Sequence, residues 1–156
     1  MKFIVDAMLG KLAKWLRILG YDTIYNPKLS DDDLFFKAHL ENRILLTRDL
    51  ELSQRVRKEL GFYIKSQNLR NQLNQVVLSF NLNTQENIFT RCVLCNNSIA
   101  EIDREQIKDR LDKFIYETTD KFYFCESCDK IYWPGSHVKL AKSFLAKIKQ
   151  RDKDEK

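Results

Sequence analysis

Two sets of residues in this chain could do chemistry, one built on sulfur and one on oxygen. Cys92-Val93-Leu94-Cys95 and Cys125-Glu126-Ser127-Cys128 form two CxxC pairs that account for all four cysteines. One CxxC loop presents two thiolates to one ion, and two loops complete the tetrahedron that zinc prefers. Four sulfurs leave no position open for a substrate, so zinc here is expected to be structural. It would add folding free energy to a module too small for a large core. A pair of redox CxxC motifs is the competing reading, but no thioredoxin-like context surrounds either pair.

The oxygen set is Asp6, Asp31 and Asp49. Asp6 ends the apolar run Phe3-Ile4-Val5, and Asp49 closes Ile44-Leu45-Leu46-Thr47-Arg48. Asp31 stands with Asp32 and Asp33 just after Ser30. Each acid has a bland role open to it as a helix cap or first-turn residue, and Ser30 with Asp33 has the form of a capping box. Taken together, they should project from one edge of a parallel sheet, where sites form at the carboxyl ends of strands. Carboxylates forced together repel, and a divalent cation relieves the repulsion. Hard oxygen donors suit magnesium or manganese (Mg/Mn) rather than zinc. Such a cluster activates water and neutralises a phosphoryl oxygen, the chemistry of metal-dependent phosphodiester cleavage. Lys11, Arg17 and Arg48 could bind phosphates beside it. Lys11, Lys14 and Arg17 could equally be a solvated helix face, and Arg48 could pair with Asp49.

The elements that must position these residues read as four β-then-α units. Strands are expected at 3–5, 22–25, 44–47 and 62–64. Helices are expected at 7–19, with Leu9, Leu12, Ala13, Leu16 and Leu19 on one face, at 30–42, at 50–60 ended by Gly61, and at 69–82. The pattern predicts an α/β fold, a compact parallel sheet with helices on both faces. Composition changes near Asn83. The expected domains are 1–82 and 88–150, the second a small zinc module with a short helix at 103–111, a strand at 130–133 and a last helix at 136–150. His39 reads as a packing residue.

The chain has 156 residues and a net charge of +5. Mild basicity permits a polyanionic partner without demanding one. No apolar run approaches the ~20 residues that span a bilayer, and the first residues are not expected to act as a signal peptide. A cytoplasmic protein with no membrane association and no small-molecule organic cofactor is expected.

The stretch Asp31 to Asp49, D-x-x-L-x-x-x-A-x-x-x-x-R-I-L-L-T-R-D, resembles the distal half of a PIN-domain nuclease. Asp31, Ala38, Thr47 and Asp49 match in order and spacing. The opening F-I-V-D-A-M-L-G-K-L-A-K-W-L-R-I-L-G-Y-D is more specific. With the two cysteine knuckles and Tyr132-Trp133-Pro134-Gly135-Ser136-His137, it resembles the Mut-7 C-terminal RNase domain family, a PIN-like fold followed by a zinc ribbon. The resemblance spans residues 2–148. It implies a metal-dependent ribonuclease with Asp6, Asp31 and Asp49 as metal-binding acids and Lys11, Arg17 and Arg48 as contacts to RNA. On the ribbon, Tyr132, Trp133, His137 and Lys139 are candidates for RNA contact, with Trp133 equally suited to packing. Many PIN domains carry a further acid before the Asp31 position, where this chain offers only Asp22 at the start of a strand. The alternative function is a non-catalytic RNA-binding protein, tRNA- or ribosome-associated.

Overall fold

Four short runs of β-branched and aromatic residues, each followed by a helix, pair in parallel as the β-then-α pattern requires. In the computed structural model, which describes residues 1–149 without the side chains of His137 and Lys149, these are β1 (Lys2–Val5), β2 (Asp22–Tyr25), β3 (Ile44–Thr47) and β4 (Gly61–Tyr63). The strand order is β2-β1-β3-β4. The chain moves outward from β1 to β2 on one side, crosses back, and moves outward from β3 to β4 on the other. The reversal falls between β1 and β3, which pair Phe3 with Ile44, Ile4 with Leu45 and Val5 with Leu46. In parallel α/β sheets, ligand crevices open at the carboxyl ends of the two strands that flank such a reversal.

Side chains alternate across the sheet with a period of two. Ile4 and Leu45 point into a core shared with Leu34 and Ala38 of α2 (Asp31–Leu40), Leu52 of α3 (Leu50–Arg55), and Val56 and Leu60 beyond it. Phe3 points the other way, edge-on to Tyr21 and Phe80. On that side lie α1 (Gly10–Ile18) and α4 (Leu69–Ser79), which touch each other. Helices therefore cover both faces of the sheet.

Three local differences from the sequence reading have physical causes. The helix expected at 7–19 starts as a 3-10 turn, Ala7–Leu9, before α1. The helix expected at 50–60 stops at Arg55, where Val56 turns extended. Gly61 is then the first residue of β4 rather than a helix stop, and a Cβ there would lie 1.9 Å from the Ser53 carbonyl oxygen. Gly20 does end its helix, at φ +88°.

The chain forms two compact units, Met1–Asn96 and Asn97–Lys156. The first cysteine knuckle thus groups with the parallel sheet. The second unit is an antiparallel sheet of β5 (Ala100–Ile102), β6 (Phe122–Cys125) and β7 (Lys130–Tyr132). A 3-10 segment, Arg104–Arg110, stands where a short helix was expected, and α5 (Lys113–Thr118) follows it. Ile107, Phe122 and Ile131 form the core of this unit, with Trp133 packed against them. The packing role for Trp133 therefore holds. The last helix, α6, runs Ser136–Lys149. The expected end at Gln150 and the side chain of His137 lie outside the described residues. Among the described residues, no helix is long and apolar enough to cross a membrane.

Candidate functional site

At the reversal point, β1 and β3 end side by side and their terminal residues are tied together by hydrogen bonds. The Asp6 backbone N–H donates to the Leu46 carbonyl at 3.1 Å. The Asp6 carboxylate is buried and accepts three donors: the Met8 N–H at 2.9 Å on Oδ1, and on Oδ2 the Arg48 N–H at 3.0 Å and the Thr47 hydroxyl. The same Thr47 oxygen accepts the Asp49 N–H at 2.9 Å. Asp49 in turn caps α3, its Oδ1 accepting the Leu52 N–H at 3.0 Å. One fully buried threonine thus links the ends of both strands and both acids. In the sequence Thr47 is part of a motif with no role of its own. Its signal was the T-x-D spacing, which sets its hydroxyl where a strand becomes a helix.

Asp6 and Asp49 each cap a helical turn and stand at the strand ends. A carboxylate offers about four acceptor positions. Asp6 gives three of these to protein donors, and the exposed Asp49 gives one. Hard oxygen therefore remains for a cation of the magnesium or manganese class, mostly on Asp49.

Asp31 is placed differently. It opens α2, exposed, beside Asp32 and Asp33. The capping box is present: Ser30 accepts the Asp33 N–H, and the Asp33 carboxylate accepts the Ser30 N–H at 3.0 Å. The Ser30 N–H, with the Ser30 hydroxyl that donates to the same carboxylate at 2.9 Å, holds the Asp33 carboxyl below the usual carboxylate range. Asp32 pairs with Arg55 at 2.7 Å, and that bond, with the added charges of Asp32 and Asp31, raises the Arg55 pKa. Asp31 is not in the hydrogen-bonded group around Thr47. Among the described residues, the three acids are not drawn into a set as close as the cysteines.

The basic candidates separate in the same way. Lys11 is exposed in the first turn of α1. Arg48 sits in the strand-end turn, half-buried, with its Nε buried and without a hydrogen-bond partner. Arg17 is buried, and its guanidinium serves the fold instead of a phosphate. Nε donates to the Thr23 carbonyl, and Nη1 donates to the carbonyls of Val93 and Leu94, each at 2.9 Å. Burial lowers its pKa, opposed by the nearby Cys95 and Cys92. Helical geometry explains the departure from the expected stripe. A residue six positions on stands about 120° around the helix from where the stripe began, so Arg17 turns inward while Lys11 and Lys14 stay in solvent. His39 is a packing residue as expected: Nδ1 donates to the Phe35 carbonyl at 2.8 Å, and Nε2 accepts the Arg57 N–H.

The sulfur set is convergent. One Sγ atom from each of Cys92, Cys95, Cys125 and Cys128 lies within 4.8 Å of the others, with Cys92 and Cys125 buried. A zinc tetrahedron with Zn–S bonds of about 2.3 Å puts its sulfurs roughly 3.8 Å apart, so this arrangement closes on an ion with little movement. The two knuckles share a backbone device. The residue after the second cysteine is left-handed in both, Asn96 at φ 73° and Asp129 at φ 51°. Asn and Asp are the side-chain-bearing residues that tolerate this region best.

Comparison with known families is decisive for the chain as a whole: the family model described as Mut7-C RNAse domain matches residues 1–145. The chain belongs to the Mut7-C RNAse domain family. No curated protein and no solved structure matches it. Mut7-C membership covers both units and gives the chain a nuclease-like function with RNA as substrate or partner. The expected architecture is present in this Mut7-C chain: a four-stranded parallel sheet flanked by helices, and four cysteines able to hold a structural zinc.

Proposed function

We propose that the protein is a metal-dependent ribonuclease that cleaves RNA phosphodiester bonds at the carboxyl ends of β1 and β3. The observation that carries this reading is the Thr47 hydroxyl, which donates to Asp6 and accepts from the Asp49 N–H at the reversal point of the sheet. Asp6 and Asp49 would hold magnesium or manganese, with Asp31 joining directly or through water. A bound cation would neutralise charge on a phosphoryl oxygen and activate water. Thr47 and the Arg48 N–H fix the orientation of Asp6 before substrate arrives, so no reorganisation is needed during reaction. Lys11 and Arg48 would contact phosphates. The buried, unpartnered Arg48 Nε supports this, because a buried donor without a partner is costly unless something binds it. We place the protein in the cytoplasm, where the thiols of a four-cysteine zinc centre stay reduced.

The alternative is a non-catalytic RNA-binding protein, tRNA- or ribosome-associated. It is favoured by one observation: Asp6 and Asp49 already serve as caps, and among the described residues the three acids do not form a set as close as the cysteines. Cleavage of a mixed pool of single-stranded RNA and tRNA separates the two readings. The assay is run with manganese, with magnesium and with EDTA, beside Asp49→Asn purified identically. Cleavage that needs metal and vanishes in the variant supports the nuclease. Salt-sensitive binding without cleavage, unchanged in the variant, supports the alternative.

A further inference from the structure

We propose that Arg17 is a positioning residue for the zinc centre, so that zinc affinity and the order of the sheet edge at β2 are one coupled equilibrium. This rests on the cysteine set being a zinc site and is independent of whether the carboxylate edge cuts RNA. The first knuckle, Cys92 to Cys95, is fastened within the parallel-sheet unit by hydrogen bonds to its loop and to the residues flanking it. The Arg17 Nη1 holds the carbonyls of Val93 and Leu94, the two residues between the ligands, and its Nε holds the Thr23 carbonyl of β2. Fixing both intervening carbonyls fixes the turn that aims two sulfurs at one point.

The next residue continues the attachment. β2 is an edge strand, with an unpaired side that would otherwise be open. Asn96 covers it: its Oδ1 accepts the Thr23 N–H at 2.8 Å, and its Nδ2 donates to Asp22 at 2.8 Å. The knuckle is anchored from the other end as well. Arg91 donates to the Gly20 carbonyl at 3.1 Å and the Asn96 carbonyl at 2.7 Å, and the Phe89 N–H donates to the Ile18 carbonyl at 2.8 Å. From Asp22 the network passes to the buried Arg43, which also donates to the Phe3 carbonyl of β1. Four thiolates around one zinc leave a net negative charge, and the Arg17 guanidinium is buried beside that loop. If the knuckle opened, it would strand a buried cation and uncover the edge of β2. Partners that orient metal ligands from behind typically change metal affinity by about 10- to 100-fold when removed.

The test is zinc affinity by chelator competition on the full chain, for the wild type, Arg17→Met and Arg17→Lys. The wild type is also followed by hydrogen exchange at the Thr23 amide with zinc and after chelation. Arg17→Met should bind zinc about 10- to 100-fold more weakly. Arg17→Lys should recover part of the loss, because it keeps the charge but not the fork that spans two carbonyls. The cobalt-loaded Arg17→Met should keep the thiolate-to-metal absorption of a four-sulfur site. Thr23 should lose protection when zinc is removed. Equal zinc affinity in wild type and Arg17→Met, or Thr23 protection indifferent to chelation, overturns the proposal, as does a wild type that takes up no zinc. If Arg17→Met does not fold, Asn96→Ala serves in its place. It should bind zinc more weakly and exchange faster at Thr23, and unchanged values in both would overturn the coupling.

Discussion

The sulfur centre and the carboxylate edge are built by opposite strategies. At the sulfur centre, four donor atoms converge within 4.8 Å, and the supporting hydrogen bonds hold the loop backbone. At the carboxylate edge the donor atoms themselves are occupied, three hydrogen bonds on Asp6 and one on Asp49, while Asp31 takes no part in that hydrogen-bonded group. The difference follows from solvation. Sulfur is weakly hydrated, and as thiolates the four can be drawn together by one ion that neutralises them. Carboxylates are charged at neutral pH and repel, so each is satisfied by protein N–H groups or by solvent. The first arrangement is a closed structural centre. The second keeps acceptor capacity facing solvent, mainly on Asp49, as the proposed nuclease site would require.

The largest effect should come from breaking the sulfur centre. Cys92→Ser or Cys128→Ser should release about one zinc per chain and unfold the unit that follows Asn96, since zinc binding in small modules is folding free energy, of order 10 kcal/mol. Metal content and a thermal melt check this, and unchanged zinc and stability in both variants would exclude a structural zinc. Cys92→Ser should also lower the stability of the parallel-sheet unit, through the loop that Arg17 holds.

Next in size is the carboxylate edge, where activity and stability should separate. Asp49→Asn keeps an oxygen for the Leu52 N–H, so the cap survives. It should lose at least about 100-fold in cleavage rate with little change in melting temperature, as removal of a main electrostatic group in a site does. Asp6→Asn should lose activity as well but also cost roughly 1–3 kcal/mol, because an amide cannot accept from all three donors on a buried carboxylate. Full activity in Asp6→Asn would remove it from the site.

How much of this contrast the sequence carried depends on the kind of information each part needs. CxxC spacing is local, and so is the step from an apolar run to an acid and then to a helix. Both knuckles, all four parallel strands and both capping acids were therefore legible. The order β2-β1-β3-β4 and the hydrogen-bond partners of Arg17 depend on contacts distant in sequence, up to 77 residues for Arg17 with Leu94. The ribbon strands β5 and β6 were missed for a different reason. Ala100–Ile102 has no alternating pattern, and Phe122–Cys125 is an aromatic run that passes straight into a knuckle. Asp31 shows the limit from the other side: its position at a helix start was legible, but its absence from the hydrogen-bonded group around Thr47 was not.

Thr47→Val gives a finer test of the edge. The side chain keeps its shape and loses both hydrogen bonds, leaving Asp6 and the Asp49 N–H each short of a partner. A cost of about 1–3 kcal/mol is expected in denaturant unfolding. Cleavage should also fall, because Asp6 loses the group that orients it. Unchanged activity would mean that Thr47 is only a structural link.

The smallest effect tests the hydrogen-bonded anchor on the sulfur side by pH. Burial opposes ionisation of Asp22, but hydrogen bonds from Arg43 and Asn96, with the charges of Arg43 and Arg91, outweigh it and hold the carboxyl below its ordinary range. A carboxyl with a lowered folded-state pKa binds fewer protons folded than unfolded around that range. Its stabilisation is therefore complete above the unfolded value, about pH 4, and is lost as pH falls through the folded value. Wild type should accordingly lose stability below about pH 4 more steeply than Asp22→Asn, with the two converging in strong acid. Melting curves from neutral pH downward check this, and parallel acid limbs would show that the Asn96–Asp22–Arg43 link contributes no charge-dependent stability. Because Asn96 directly follows the second zinc ligand of its knuckle, zinc retention measured across the same pH range would show whether losing that link also loosens the metal.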